Sequence, residues 1–387
     1  MKKLAIITTH PIQYNAPLFR LLSQRGKINI KVFYTWGKGV LKNKFDPGFG
    51  QVIEWDIPLL DGYDHCFVNN TATDPGSHHF SGINNPDLIK ELHLWKPDAL
   101  LIYGWRFKTH LKLLRYFKSK IKILFRGDSN LLDEDKGISI KAFTRKLFLR
   151  WVYKNIDLAL YVGKANKDYY LKYGLKKDQM LFVPHAVDMD RFCAKGENLR
   201  TQLNIPEHAI VFLFTGKLES KKNPLLLMES FAQLNKTETH LLIVGSGALE
   251  NSLKIRVLKF TESIQSRIHF LPFQNQQKMP AIYRTGDILV LPSRGPNETW
   301  GLSVNEAMAT GKAVLVSDKC GCATDLVEDD FNGYIFNSDL ENDLLQKMKL
   351  LTNNKNKLTI MGLNSLHKIQ KWSFENASEA IESSLIY

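Results

Sequence analysis

The sequence predicts an α/β protein of two doubly wound, Rossmann-like domains facing each other across a cleft. Three observations carry this expectation. Short apolar runs rich in β-branched residues alternate with longer helical stretches, the pattern of a parallel sheet covered on both faces. That pattern restarts at Ala209–Gly216. Finally, 387 residues are long for a single core, so two domains are the natural division.

The first strand is Leu4–Thr9; its apolar run stops at His10-Pro11, too soon for a signal peptide despite Met1-Lys2-Lys3. Lys31–Trp36, Ala99–Trp105, Ile121–Arg126, Leu158–Val162 and Met180–Pro184 follow as buried strands, and Gln51–Pro58 alternates like an extra one. Asp46-Pro47-Gly48-Phe49-Gly50 and Asp61-Gly62-Tyr63 are turn signals in a long N-terminal insertion. The second half runs through Ala209–Gly216, His240–Gly245, Arg267–Phe273, Ile288–Pro292, Ala313–Asp318 and Gly333–Phe336. The seam falls near Pro184–Asn198, giving a first domain of residues 1–190 and a second of 191–371. Doubly wound sheets place ligands beyond the carboxyl ends of their strands, so the cleft between the halves is the expected active site.

Bulk properties narrow the function. No segment approaches bilayer-spanning length. Cys66, Cys193, Cys320 and Cys322 are few and scattered, which suits a reducing cytoplasm, and Cys320-Gly321-Cys322 is spaced too tightly for a zinc knuckle. Net charge is +13, with 30 Lys+Arg against 18 Asp+Glu through Asp190 (+12) and 22 against 21 beyond it (+1). Lys141, Arg145, Lys146, Arg150 and Lys154 interleave with Phe143, Leu147, Phe148 and Trp151 as an amphipathic basic helix. Such a face suits docking on an anionic membrane surface; a solvated outer face over a buried apolar stripe is the alternative. Nucleic acid is not an expected partner, since no recognition motif accompanies the charge.

The chemistry concentrates in Asn297–Gly311, N-E-T-W-G-L-S-V-N-E-A-M-A-T-G, which sets Glu298 and Glu306 eight positions apart. Gly301 lies between them, where a helix should begin, so the backbone N–H groups of Gly301 and Leu302 make an anion site. Glu306 lies about a turn and a half into that helix. Carboxylates on either side of an anion site suit sugar hydroxyls on either side of a diphosphate, which describes a nucleotide sugar.

This run resembles the E-x7-E element of the family 4 retaining glycosyltransferases. Gly216-Lys217-Leu218 with Lys222 is similar to that family's G-R-L…K phosphate element, and Gly245-Ser246-Gly247 to its G-x-G-x-L turn. Val183-Pro184-His185-Ala186-Val187-Asp188 through Arg191-Phe192 resembles its interdomain linker. The resemblance covers the chain from about residue 140 onward. It is looser earlier, at His10-Pro11-Ile12-Gln13-Tyr14 and Arg126-Gly127-Asp128-Ser129.

The resemblance implies the GT-B fold, with residues 372–387 a closing helix that packs back on the first domain. It implies that Lys217 and Lys222 hold the donor diphosphate, that Glu298 contacts the donor sugar and that Glu306 contacts the ribose. Gly216, Gly245, Thr299, Gly301 and Leu302 then line the donor site, with the base near Phe273. Acceptor would meet His10, Gln13, Tyr14, Asn15, Tyr103, Trp105 and Arg126, and Asp128 would orient its hydroxyl. Two departures stand out. Lys217 replaces the usual Arg, a point charge for a planar fork. Gly127-Asp128 stands where the family often has a His-Asp pair.

No cofactor and no metal are expected beyond a UDP- or GDP-sugar donor. Asp188-Met189-Asp190 has a D-x-D spacing that could hold a divalent ion, but it lies in the linker. The reading is a metal-independent retaining glycosyltransferase, cytoplasmic and peripheral at the inner membrane face, acting on a glycan or lipid-linked acceptor. An epimerase or phosphorylase of the same fold, or a non-catalytic nucleotide-sugar binder, is the alternative.

Overall fold

A computed structural model describes residues 1–41, 45–46, 48–132, 134 and 139–386; Pro47 of the first turn signal lies outside the described residues. The chain divides into two compact units, Met1–Lys44 with Ile57–Ala186 and Phe374–Tyr387, and Phe45–Asp56 with Val187–Ser373.

The strands in chain order are β1 (Lys3–Thr8), β2 (Asn29–Tyr34), β3 (Phe45–Asp46), β4 (Gln51–Val52), β5 (His65–Phe67), β6 (Ala99–Tyr103), β7 (Lys122–Arg126), β8 (Leu158–Tyr161), β9 (Met180–Phe182), β10 (Ile210–Thr215), β11 (Thr239–Val244), β12 (Ile268–Leu271), β13 (Ile288–Leu291), β14 (Ala313–Ser317) and β15 (Gly333–Phe336). The first unit holds a parallel sheet in the order β5-β2-β1-β6-β7-β8-β9. Leu4–Ile7 of β1 are all fully buried because successive side chains feed opposite faces. Ala5 and Ile7 join Leu113, Phe117 and Val152, while Leu4 and Ile6 join Leu18, Phe19 and Leu22. The helix Phe374–Ile386 buries Ala377 and Ile381 in that second cluster.

The second unit holds a parallel sheet in the order β12-β11-β10-β13-β14-β15. Strand order reverses between β10 and β13, which opens a crevice at their carboxyl ends. Residues 45–56 belong to this unit, where β3 and β4 form a short antiparallel hairpin, Phe45↔Val52 and Asp46↔Gln51. Of the alternating stretch Gln51–Pro58, only Gln51–Val52 is strand, pairing with Phe45–Asp46 of β3 among the described residues. Among the described residues no helix is long and apolar enough to cross a membrane.

Candidate active site

Beyond the carboxyl end of β10 the chain turns at Gly216, and beyond β11 at Gly245. Their φ values, 148° and 145°, lie where glycine is favoured. A Cβ on Gly245 would sit 1.9 Å from the Gly216 carbonyl oxygen, so the two turns come this close only because residue 245 is glycine. The same close approach lets Leu218 N–H donate to the Ser246 carbonyl at 3.0 Å, and Ser246 Oγ accepts from Phe273 N–H at 3.1 Å. Phe273 is thereby fixed beside the glycine turns.

Lys222 ends the short helical turn Ser220–Lys222, just before the helix Pro224–Leu234. Its Nζ lies 2.6 Å from Glu298 Oε2, and Ser293 Oγ donates to the same oxygen at 3.1 Å. The Lys222 side chain is 17% exposed and that of Glu298 7%, so each needs the other's charge. Gly301, φ 104°, turns the loop after β13 into the helix Leu302–Ala309, with Glu298 Oε1 3.9 Å from where its Cβ would stand. Trp300 is buried, its Nε1 donating to Asn305 Oδ1 at 2.8 Å, which makes it a wall of the loop. Thr299 and Leu302 are half-buried beside it. Burial, reinforced by the nearby Glu298 carboxylate, pushes the Cys320 and Cys322 thiols up, so both stay protonated in the site's floor.

Glu306 is 3% exposed on the inner face of the same helix. Tyr283 donates to its Oε2 at 2.6 Å, and Thr215 Oγ1, at the end of β10, lies 2.9 Å from that hydroxyl. A hydrogen-bonded chain therefore ties the Glu306 carboxylate to the strand that carries Gly216. Lys217 Nζ bonds both Asp46 carboxylate oxygens, at 2.8 and 3.1 Å. Gly216, Lys217 and Lys222 thus follow β10, Gly245 follows β11, Phe273 follows β12, and Glu298, Thr299, Gly301, Leu302 and Glu306 follow β13, all beyond the carboxyl end of one sheet. Ser293, Tyr283 and Asp46 join them unannounced by any motif. Ser293 does directly follow Leu291-Pro292 at a strand end, a signal that was open to reading.

In the first unit the candidates gather along the carboxyl ends of β1, β6 and β7. His10 Nδ1 lies 2.9 Å from Thr9 Oγ1, and its ring meets Trp36 edge-on at 5.1 Å. Gln13, Tyr14 and Asn15 form the turn before the helix Ala16–Arg25. The Tyr103 hydroxyl is buried, its ring edge-on to Phe19, and Trp105 packs on Phe148. Asp128 is half-buried after Gly127, whose carbonyl accepts from Tyr170 at 2.9 Å. Arg126 stands apart. It is 5% exposed and donates to the carbonyls of Val183 and Pro184 at 2.8 and 3.0 Å, so it clamps the chain that leaves β9. Asp188 caps the helix Met189–Cys193 by accepting from Arg191 N–H at 3.1 Å. The His78-His79 pair lies with Asp74 in an exposed loop.

Residues 195–367, which contain the glycine turns, Lys217, Lys222, Glu298 and Glu306, match the family described as Glycosyl transferases group 1. Among curated relatives of the group 1 region, a D-inositol 3-phosphate glycosyltransferase from Geodermatophilus obscurus is 31% identical over 42% of this chain and 38% of its own. A lipopolysaccharide 1,2-N-acetylglucosaminetransferase from Salmonella typhimurium is 29% identical over 50% of this chain and 54% of its own. The chain thus spans about half or less of the length of these relatives. Among solved structures, Anabaena HepE in complex with UDP matches 100% of this chain and 99% of its own at 16% identity, TM-score 0.72. The fold is GT-B, two Rossmann-like units in one chain.

Proposed function

We propose that this protein is a retaining, metal-independent glycosyltransferase that moves a sugar from a nucleotide-sugar donor to a glycan or lipid-linked acceptor. The observation that carries the reading is the pairing of Lys222 with Glu298 beside the glycine turns, with Glu306 anchored one strand away. Lys217 and Lys222 supply fixed positive charge where a diphosphate leaving group gains negative charge. Glu298, held in place by the Lys222 ammonium 2.6 Å away, accepts a hydrogen bond from a donor-sugar hydroxyl, and Glu306 accepts from the ribose. As the bond from the anomeric carbon to the diphosphate oxygen breaks, the acceptor hydroxyl oxygen bonds to that carbon on the same face and a donor phosphate oxygen takes the hydroxyl's proton, so configuration is kept. Asp128, with His10, Gln13, Tyr14, Asn15, Tyr103 and Trp105 near it on the first unit, orients that hydroxyl. That a glycosyltransferase named for lipopolysaccharide is a relative, and that HepE binds UDP, supports a UDP-sugar and a surface-glycan acceptor.

A thermal-shift panel of UDP, GDP, ADP and CMP, with and without chelator, tests the donor. One nucleotide at 100 times its dissociation constant is expected to add about 2.7 kcal/mol to the wild type. Glu306→Ala should lose that gain, and chelator should change nothing. No response to any nucleotide, or a response that needs metal, would overturn the reading.

The helix Ile140–Tyr153 supports an anionic membrane surface as the acceptor's setting. Ile140, Phe143, Leu147 and Phe148 are 85%, 61%, 52% and 41% exposed, beside exposed Lys141 and Arg150, while Leu149, Val152 and Tyr153 face the core. Exposed apolar side chains flanked by cations are the pattern of an interfacial helix rather than a merely solvated face. Phe143→Glu with Leu147→Glu is expected to abolish co-sedimentation with phosphatidylserine vesicles without changing nucleotide binding. Equal sedimentation of wild type and variant would refute docking through this face.

A further inference from the structure

The hairpin of residues 45–56 leaves its own sequence neighbourhood and lies on the phosphate-binding turns. Asp46 holds Lys217 through both carboxylate oxygens, at 2.8 and 3.1 Å, as two phosphate oxygens would. A Cβ on Gly48 would fall 2.6 Å from Lys217 Nζ, so the lysine lies flat against the turn. The Gly48 carbonyl oxygen stands 3.0 Å from where a Cβ of Gly247 would be. The Phe49 ring meets Phe273 edge-on at 4.7 Å and lies 5.0 Å from Lys217 Nζ. The hairpin is moored beyond this contact: Asn275 donates to the Glu54 carbonyl at 2.5 Å, and Gln277 donates through its side chain to the Asp56 carbonyl at 2.6 Å and through its backbone N–H to both Asp56 carboxylate oxygens at 3.2 Å. Asp46 itself is shaped for the task, since Gly48 and Phe49 N–H both donate to its Oδ1, at 2.8 and 3.2 Å, fixing the carboxylate within its own turn.

We propose that Asp46 competes with the donor diphosphate for Lys217, so that nucleoside diphosphate binds by exchanging one anion for another. This rests on the donor reading above. An anion that must displace a carboxylate binds less tightly than one meeting a bare ammonium, and the carboxylate is there to retake the lysine when the diphosphate leaves. Asp46 is thus a positioning residue that weakens product binding and speeds product release. Ligands without a diphosphate do not reach Lys217 and escape the competition. The Lys217 and Asp46 side chains are 32% and 28% exposed, so the penalty is that of a partly solvated ion pair and fades with salt.

The test is calorimetric titration of the whole chain with UDP, GDP and the matching nucleosides. Asp46→Asn is expected to bind its nucleoside diphosphate about two- to fivefold tighter than wild type at low salt, with the gain shrinking as salt rises. Nucleoside affinity should not move. Asp56→Asn, which alters the mooring and not the Lys217 pair, should leave diphosphate affinity unchanged. Unchanged or weaker diphosphate binding by Asp46→Asn overturns the competition while the donor reading stands. Equal tightening by Asp56→Asn also overturns it, since the effect would then belong to the hairpin's attachment. If neither wild type nor Asp46→Asn binds any nucleoside diphosphate, both proposals fall.

Discussion

Lys222→Ala is expected to slow glycosyl transfer by about two to three orders of magnitude, the usual scale for deleting one fixed electrostatic group at a reacting centre. Two losses combine. The diphosphate loses a cation that would offset its developing charge, and Glu298 loses the cation 2.6 Å away that keeps its carboxylate in place. The second loss is felt in stability too, because Glu298 is 7% exposed and an uncompensated buried carboxylate costs about 3 kcal/mol. Glu298→Gln separates the two effects. It keeps the shape and the Ser293 contact, so nucleotide binding should survive while transfer falls. Lys222→Ala combined with Glu298→Gln should be more stable than Lys222→Ala alone, since no buried charge is then left unpaired. Urea unfolding and single-turnover rates on the three variants check this. Full transfer by Glu298→Gln would remove Glu298 from the reaction.

Much of the fold was legible because parallel strands buried on both faces write themselves as continuous apolar runs. The stretch Ala209–Gly216 reads as a strand without knowledge of its neighbours, and β10 occupies Ile210–Thr215. The strand expected at Lys31–Trp36 starts earlier, at Asn29, because Asn29 N–H bonds the Lys2 carbonyl at 2.8 Å. The short edge strand His65–Phe67 went unread; three residues carry no period, and only pairing with Val32–Tyr34 makes them a strand. The candidate site divides along the same line. Gly216, Gly245 and Glu298 announce themselves because each follows its own strand at a fixed local spacing. Tyr283 and Asp46 do not, since they reach Glu306 and Lys217 across 23 and 171 residues of chain. Arg126 shows the converse: a cation at the carboxyl end of a strand looks available for substrate, and the carbonyls it donates to lie 57 and 58 residues away.

Deleting residues 374–387 is expected to destabilise the first unit by about 3 to 6 kcal/mol, from the loss of two or three buried apolar side chains. Ala377 and Ile381 are fully buried and Phe374 is 9% exposed, all in the cluster that holds Leu18, Phe19 and Leu22 under β1. The segment is also tied electrostatically. Arg25, at the end of the helix Ala16–Arg25, donates to both Glu382 oxygens at 2.8 and 3.0 Å, and Glu382 is 2% exposed. Its bidentate geometry makes this pair stronger than a surface ion pair and more damaging to break from one side. Ile381→Asp tests the packing without truncation, by placing an unpaired carboxylate among apolar side chains. Arg25→Ala tests the charge, since it strands Glu382. Arg25→Ala should cost less than Ile381→Asp, because Lys27 Nζ lies 3.5 Å from Glu382 and retains part of the compensation. That order, read from urea midpoints, distinguishes a helix held by burial from one held by its ion pair. The reverse order would mean that the carboxylate of Glu382, rather than Ile381, anchors the end of the chain.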